Sequence, residues 1–420
     1  MRNPRPYLLL ALAVLLGGVA AHALLLAPTT SNGIAALVAL GVAVLAAAIG
    51  FVELVPRATT ELTREAKVAA GILFAVGSIM ALTLAVTGPP VAVGMALLPA
   101  PLYVWLALRI DRNEREPRPL LVTTFLWGAC VAVAIGGVFN IVGESAVSSA
   151  LGNTAGAVYG GSISAPIFEE LSKGAVLLLL YRRFRGEFNG VLDGIVYATV
   201  VGLGFAMAEN IEYYGDAWHG GVTDAITTFV ARGVFTPFLH PLMTSMTGIG
   251  LGVASLSSKR RTRVGAPLLG LAAAMVLHSI NNSASLLGGA GWIGCYVLVE
   301  VPVFVAVLIV IRRTLKRERR IIEEYLAFDV LAGRLTSAEL AVLACGRGRR
   351  RALKETRRLA GRQGRRVRVA FHQAAAELAF LRERLAKGLV GWDAHTTAEH
   401  ERYQVRLTEL RGRLAALAVR

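Results

Sequence analysis

Charge is what this sequence has least of. Only 17% of its 420 residues are charged, against about 25% in soluble domains, while 55% are hydrophobic and the mean hydropathy is +0.57. A shortage of that size excludes an ordinary soluble domain and leaves an all-α, polytopic membrane protein. Cysteine is scarce too: Cys130, Cys295 and Cys345 show no paired or C-x-x-C spacing, which excludes a disulfide framework and a zinc site built on thiolates. Lys and Arg are missing altogether from 28–33, 88–90, 143–160, 211–224 and 288–291, and that pattern carries information of its own.

What is present is a series of apolar runs, at about 7–27, 34–55, 68–87, 91–108, 120–142, 161–180, 190–210, 225–256, 267–287 and 292–311. The first, Tyr7 to Ala27, is longer than the roughly 7–15 apolar residues of a signal peptide and reads as a retained helix. The connections rich in Lys and Arg alternate with the connections that lack them: Arg57, Arg64 and Lys67; Arg109, Arg112, Arg115 and Arg118; Arg182, Arg183 and Arg185; Lys259, Arg260, Arg261 and Arg263. By the positive-inside rule this predicts ten spans in the cytoplasmic membrane, with both termini cytoplasmic. The long run at 225–256 holds Arg232 and Pro237 and is the least regular of the ten.

Against that background the ionisable residues stand out, because a charge at membrane depth costs roughly 2.5–3.5 kcal/mol on insertion scales. Glu169, Glu170 and Lys173 interrupt one run; Glu209 and Asn210 follow Phe205 in the next; His240 and Thr244 come after it, then His278 and Asn282. At 1.5 Å per residue, the predicted topology puts Glu169 roughly 12 Å and His278 roughly 13 Å below the outer face, and all four groups in the outer half of the bilayer. The spacings are i,i+3 or i,i+4, so each set shares one helical face and four helices can turn polar faces to one cavity. Carboxylates and imidazoles gathered there suit hydrolysis, which needs a base for water and donors for an oxyanion, and equally suit a divalent metal such as zinc. They also suit a proton relay, so an ion-coupled transporter is the rival class, although no internal repeat relates the two halves. A catalytically inactive scaffold is a third reading.

Glu169-Glu170-x-x-Lys173, Phe205-x-x-x-Glu209-Asn210, His240 and His278-x-x-x-Asn282, in that order on successive runs, resemble the motifs of the PrsW family of intramembrane proteases, distant relatives of the CAAX-processing and bacteriocin-processing membrane peptidases. The resemblance covers about 95–290, and Leu108 to Pro117 and Asp193-Gly194-x-x-Tyr197 share in it. It implies a protease acting on a membrane-tethered protein, with anti-sigma factors among the family's substrates. Carried over by position, Glu169 is the general base, Glu170 and Lys173 orient it, and His278 with Asn282 polarises the scissile carbonyl. Lys173 stands one residue before the arginine of the related E-E-x-x-x-R form, and Glu209 stands where those relatives have histidine. A metal centre on Glu209, His240 and His278, joined by Glu169, is therefore the alternative to a metal-free glutamate mechanism.

Other polar residues have structural readings. Asn210 is expected to bond a neighbouring helix, Asp193 to cap a helix start, and Glu300 to pair with Lys173 or Arg232; Arg232 itself reads either as an interfacial anchor or as a contact for substrate backbone. Gly128, Gly202, Gly204, Gly248, Gly250 and Gly252 predict close helix packing. The chain divides at about 311 into a membrane domain and a basic tail. Residues 312–420 hold 26 Lys and Arg against 12 Asp and Glu, so +14 of the net +16 lies there. Apolar positions recur at helical spacing in 328–343, 369–389 and 400–419, with Leu407, Leu410, Leu414 and Leu417 in one stripe, which predicts a small bundle of two to four cytoplasmic helices. The arginines between 347 and 368 lack interleaved aromatics and a nucleic-acid motif, and point to lipid or regulation instead.

Overall fold

The computed structural model describes residues 89–110 and 116–418, and every regular element among them is helical. Five helices are long and apolar enough to cross a membrane: α1 (Pro90–Ala107), α2 (Arg118–Leu151), α4 (Val191–Gly220), α7 (Arg260–Ser285) and α8 (Gly288–Leu331). They take up the runs expected at 91–108, 120–142, 190–210, 267–287 and 292–311. Between α2 and α4 lies α3 (Ala165–Arg183), 19 residues long, whose apolar run Glu169, Glu170 and Lys173 interrupt. The runs expected at 7–27, 34–55 and 68–87 lie outside the described residues.

The run at 225–256 is not one helix. It forms α5 (Val222–Phe229), a wide π turn over Val230–Phe235, and, after a break at Thr236 to Phe238, α6 (Leu239–Ser255). Pro237 explains the break, since proline has no N–H to donate and its ring collides with the preceding turn. Thr236 closes the upstream end by donating both its N–H and its hydroxyl to the Ala231 carbonyl at 3.0 Å.

The chain falls into two compact units. At the centre of the first is α4, buried on nearly every side from Leu192 to Ala208, as a helix apolar all round must be. Its glycines let α2 and α6 come almost to backbone contact. A Cβ on Gly204 would stand 2.1 Å from the Phe125 carbonyl, and one on Gly202 would stand 2.6 Å from the Pro241 nitrogen. Gly128, Gly248, Gly250 and Gly252 are equally tight against neighbouring backbone, so all six glycines singled out in the sequence are packing positions. Three further π turns, at Trp127–Ala132, Gly160–Ser164 and Tyr296–Glu300, widen the helical path where this unit carries polar groups.

The second unit comprises the described chain from Ala306 onward together with Leu256–Arg263. The end of α8, α9 (Ser337–Ala344), α10 (Gly346–Ala386) and α11 (Ala394–Ala418) enclose a core of Ile322, Leu326, Phe371, Ala375, Leu378 and Leu407. The expected stripe is there: Leu407, Leu410 and Leu414 are buried and Leu417 packs against them. The helical spacing over 328–343 is interrupted, because Gly333 turns the chain at φ 73° and Thr336 starts α9 with a reciprocal capping box to Glu339.

Candidate active site

Lys173 is the centre of the polar cluster. Fully buried, its Nζ lies 2.8 Å from Glu170 Oε1, 3.4 Å from Glu169 Oε2, 3.2 Å from His240 Nδ1 and 3.8 Å from the centre of the Phe205 ring. Helix α3 supplies both carboxylates through i,i+3 and i,i+4 spacing, α4 supplies the aromatic face and α6 the imidazole. A buried ammonium is tolerated only when paired and hydrogen-bonded, and this one has both conditions met.

The two neighbouring glutamates differ. Glu170 is held closely: Oε1 takes Lys173 and His278 Nδ1 (3.1 Å), and Oε2 accepts from the Thr244 hydroxyl at 2.8 Å. Glu169 is held loosely, with Lys173 at 3.4 Å, Asn140 Nδ2 at 3.4 Å and His278 Nε2 at 3.8 Å. Of the pair, Glu169 keeps the greater acceptor capacity for another group.

The hydrogen bonds also fix both imidazoles. An ammonium only donates, so His240 Nδ1 accepts from Lys173 and its Nε2 carries the proton, donated to Glu209 Oε2 at 2.9 Å. A carboxylate only accepts, so His278 Nδ1 donates to Glu170, and its Nε2 faces Glu169 Oε2 at 3.8 Å. Each ring thus gives one nitrogen to a carboxylate. Edge-to-face at 5.2 Å, the two rings brace each other.

One ligand atom each from Glu169, His240 and His278 lies within 4.8 Å of the other two. Ligands about 2.0–2.1 Å from zinc stand about 3.4 Å apart in a tetrahedron, so side-chain movements of about 1 Å suffice to close the set. An imidazole from each of α6 and α7, one loosely held carboxylate and carboxylates behind both rings suit a divalent metal once Lys173 gives up His240 Nδ1, and this outer arrangement is what orients metal-binding histidines. The compact triple contains Glu169, whereas the set expected from sequence contained Glu209. Glu209 sits behind His240, ion-paired with Arg232, which also donates from Nε to Asn210 Oδ1 at 2.7 Å and lies over the Tyr213 ring at 3.7 Å.

Of the seven residues named from sequence, Glu169, Glu170, Lys173, Glu209, His240 and His278 form one connected network. Asn282 is turned elsewhere: its Nδ2 donates to the Gly161 carbonyl at 2.9 Å, and Ser279 donates to the Ser162 carbonyl at 2.6 Å, tying α7 to the π turn ahead of α3. The expected pairing of Glu300 with Lys173 or Arg232 is overturned, since both cations have other partners. Glu300 takes a 3.8 Å contact from the Cys295 thiol on its own helix. Asp193, in the first turn of α4, accepts from the N–H of Asn189 ahead of the helix at 2.9 Å and does not serve as its N-cap, and Asn210 does bond a neighbouring element. Sequence reasoning gave Thr244 no role and passed over Asn140 and Ser164, although Asn140 is an amide inside an apolar run and stands out by the rule that picked Glu169.

Membrane-spanning helices around a buried carboxylate and imidazole centre define a helical membrane protein with the parts of a hydrolase. The family model described as PrsW family intramembrane metalloprotease matches residues 116–308, which hold every residue of the cluster. A curated relative named Protease PrsW from Geobacillus kaustophilus is 32% identical over 171 residues, covering 41% of this chain and 67% of the relative. Proteins of the same name from Oceanobacillus iheyensis and Halalkalibacterium halodurans are 29% and 28% identical, covering 82% and 86% of their lengths. No solved structure matches. The chain belongs to the PrsW family and is an intramembrane protease.

Proposed function

We propose that this protease is a metal-dependent enzyme of the cytoplasmic membrane, cutting a membrane-tethered protein close to the outer face, with Glu169 as the working carboxylate. The observation that carries the reading is the inequality of the two glutamates: Glu170 is held by three close hydrogen bonds and Glu169 only by long ones. Glu169, His240 and His278 hold the ion, and a bound divalent ion such as zinc supplies Lewis-acid polarisation of the scissile carbonyl. Glu170 fixes the ring of His278 and the ammonium of Lys173; Glu209, held by Arg232, fixes the ring of His240. Lys173 bridges the two neighbouring carboxylates. In the hydrolysis itself, water adds to the carbonyl carbon, the C–N bond breaks, and a carboxylate beside the water carries its proton to the leaving amine.

The closeness of His278 to Glu169 and His240 supports a ligand role for it, and the bond from Asn282 to Gly161 supports a packing role for that residue. The outer-face location rests on the alternation of basic connections and on matched depths, and a ten-span topology with both termini cytoplasmic follows from the same pattern. Residues 1–311 act as the membrane domain and 312–420 as a separate basic tail near anionic lipid. Within the family resemblance, the substrate class is a membrane-anchored regulator of the anti-sigma type.

The test is cleavage of a reconstituted single-span substrate, with metal analysis before and after chelation. Stoichiometric metal, activity restored only by metal, and a silent Glu169→Gln variant support the reading. Full activity in metal-free protein overturns the metal, and full activity of Glu169→Gln overturns the role of that carboxylate.

A further inference from the structure

Helix α2 carries none of the motif residues, yet one of its faces is fitted to Glu169. Gly136, Asn140 and Gly143 stand at i, i+4 and i+7. A Cβ on Gly136 would lie 2.8 Å from Glu169 Cγ, so glycine there lets α2 reach the carboxylate stem. One residue before Asn140, the Phe139 ring stacks on that of Phe168 at 4.2 Å and 7°, next to Glu169 on α3. Between these contacts, Asn140 Nδ2 points at Glu169 Oε1 at 3.4 Å, and its Oδ1 accepts from the Ser164 hydroxyl at 2.9 Å. Which way the amide is turned follows from its partners: the carboxylate only accepts, so the NH2 must face it and the oxygen must face Ser164. Ser164, the last residue of the π turn leading into α3, is buried and so holds that orientation.

We propose that Asn140, locked by Ser164, is a positioning residue of the protease that aims the Glu169 carboxylate at His278 and His240. With Oε1 engaged by the amide, Oε2 is the oxygen turned to Lys173 and His278. The 3.4 Å separation is that of a resting site, in which catalytic hydrogen bonds are commonly long and shorten when the site is loaded. This inference rests on the role given to Glu169 above.

The test compares Asn140→Ala, Asn140→Leu and Ser164→Ala in the full-length protein, by cleavage kinetics, thermal unfolding and metal affinity in competition with a chelator. Partners that orient a ligand from behind are worth about 10–100-fold, so kcat for both Asn140 variants falls by that factor with KM within about twofold. Ser164→Ala, which frees the amide to turn, gives a smaller loss of the same kind. Metal affinity falls with kcat, and Asn140→Ala costs no further affinity in a Glu169→Gln background, because the group it aims is gone. Wild-type kcat in Asn140→Ala, a loss carried by KM, or an equal loss of affinity in the Glu169→Gln background overturns the proposal. If Asn140→Ala fails to fold, Ser164→Ala decides alone on the same readings. An active Glu169→Gln variant instead brings down the role of Glu169, whereas a silent one beside a normal Asn140→Ala sinks only this inference.

Discussion

The two units of this protein each bury a knot of ionic groups, and the knots are built on opposite plans. In the second unit, Asp329 is fully buried, engaged by the Arg382 guanidinium through both Nη atoms and by Arg334 Nε at 2.6 Å, while Arg382 also donates to the Tyr325 carbonyl at 2.8 Å. Permanent cations close on a carboxylate there, and its oxygens are committed. In the first unit two of the cations' places are taken by imidazoles, and Glu169 is left with long contacts only. Closure makes a strut; incompleteness of this sort makes a reactive centre.

The widest separation between the two plans comes from removing one carboxylate from each. Glu169→Gln is expected to lower kcat and metal affinity by more than the about 10–100-fold that an outer partner is worth, while leaving thermal unfolding nearly unchanged, in line with the loss of a metal ligand. Asp329→Asn should do the reverse, leaving Arg382 buried without its counter-charge at a cost of about 3–5 kcal/mol, read as loss of hydrogen-exchange protection across α10 and α11. Equal effects of the two substitutions on activity would erase the distinction.

A step smaller, Glu209→Gln removes the negative charge behind His240 and leaves Arg232 without its counter-ion. Metal affinity and kcat should fall together by about 10–100-fold. Thr244→Val leaves Glu170 Oε2 without its 2.8 Å donor, and the unsatisfied oxygen should destabilise the first unit by about 1–3 kcal/mol, measured by thermal unfolding in detergent.

The smallest effect concerns pH. His400 accepts from Arg382 Nε at 3.2 Å, and burial together with the nearby Arg382 charge lowers its pKa. A histidine whose folded pKa is depressed contributes fully above the unfolded value of about 6.5, and that contribution is lost as pH falls toward the folded pKa. The second unit should therefore loosen gradually below pH ~6.5, and His400→Gln should flatten that slope in hydrogen exchange without altering cleavage at neutral pH. An unchanged slope would remove His400 from the account.

Much of this was legible in the residues because charge in an apolar run is costly and so rarely accidental. Glu169, Lys173, His240 and His278 declared themselves, and helical spacing gave their faces. Azimuth and partner choice were not legible. Glu300 lies at a depth compatible with Lys173 but on a helix whose rotation the sequence does not specify, and it meets Cys295. Asn282 has the right spacing from His278, yet the carbonyl of Gly161 claims it. Asn140 and Thr244 are visible as polar residues in apolar runs, but being uncharged they do not name their partners, and Ser164, small and cheap to bury, carries no signal at all. The break at Thr236 to Phe238 was visible as Pro237, but the π turn before it, which presents Arg232 to Glu209, has no sequence mark.

The π turn at Gly160–Ser164 has a consequence for which changes of length the chain can tolerate. A wide turn of this sort is an α-helix with one extra residue, and its off-ladder carbonyls at Gly161 and Ser162 are the ones that Asn282 and Ser279 use. Deleting a single residue there would yield a more regular helix by every local criterion. It would also swing the preceding chain by about 100° relative to Glu169, since one residue is that fraction of a 3.6-residue turn. The latch holding α7, and with it His278, would then have nothing to close on, so substitution within these five positions is open to the chain in a way that shortening is not.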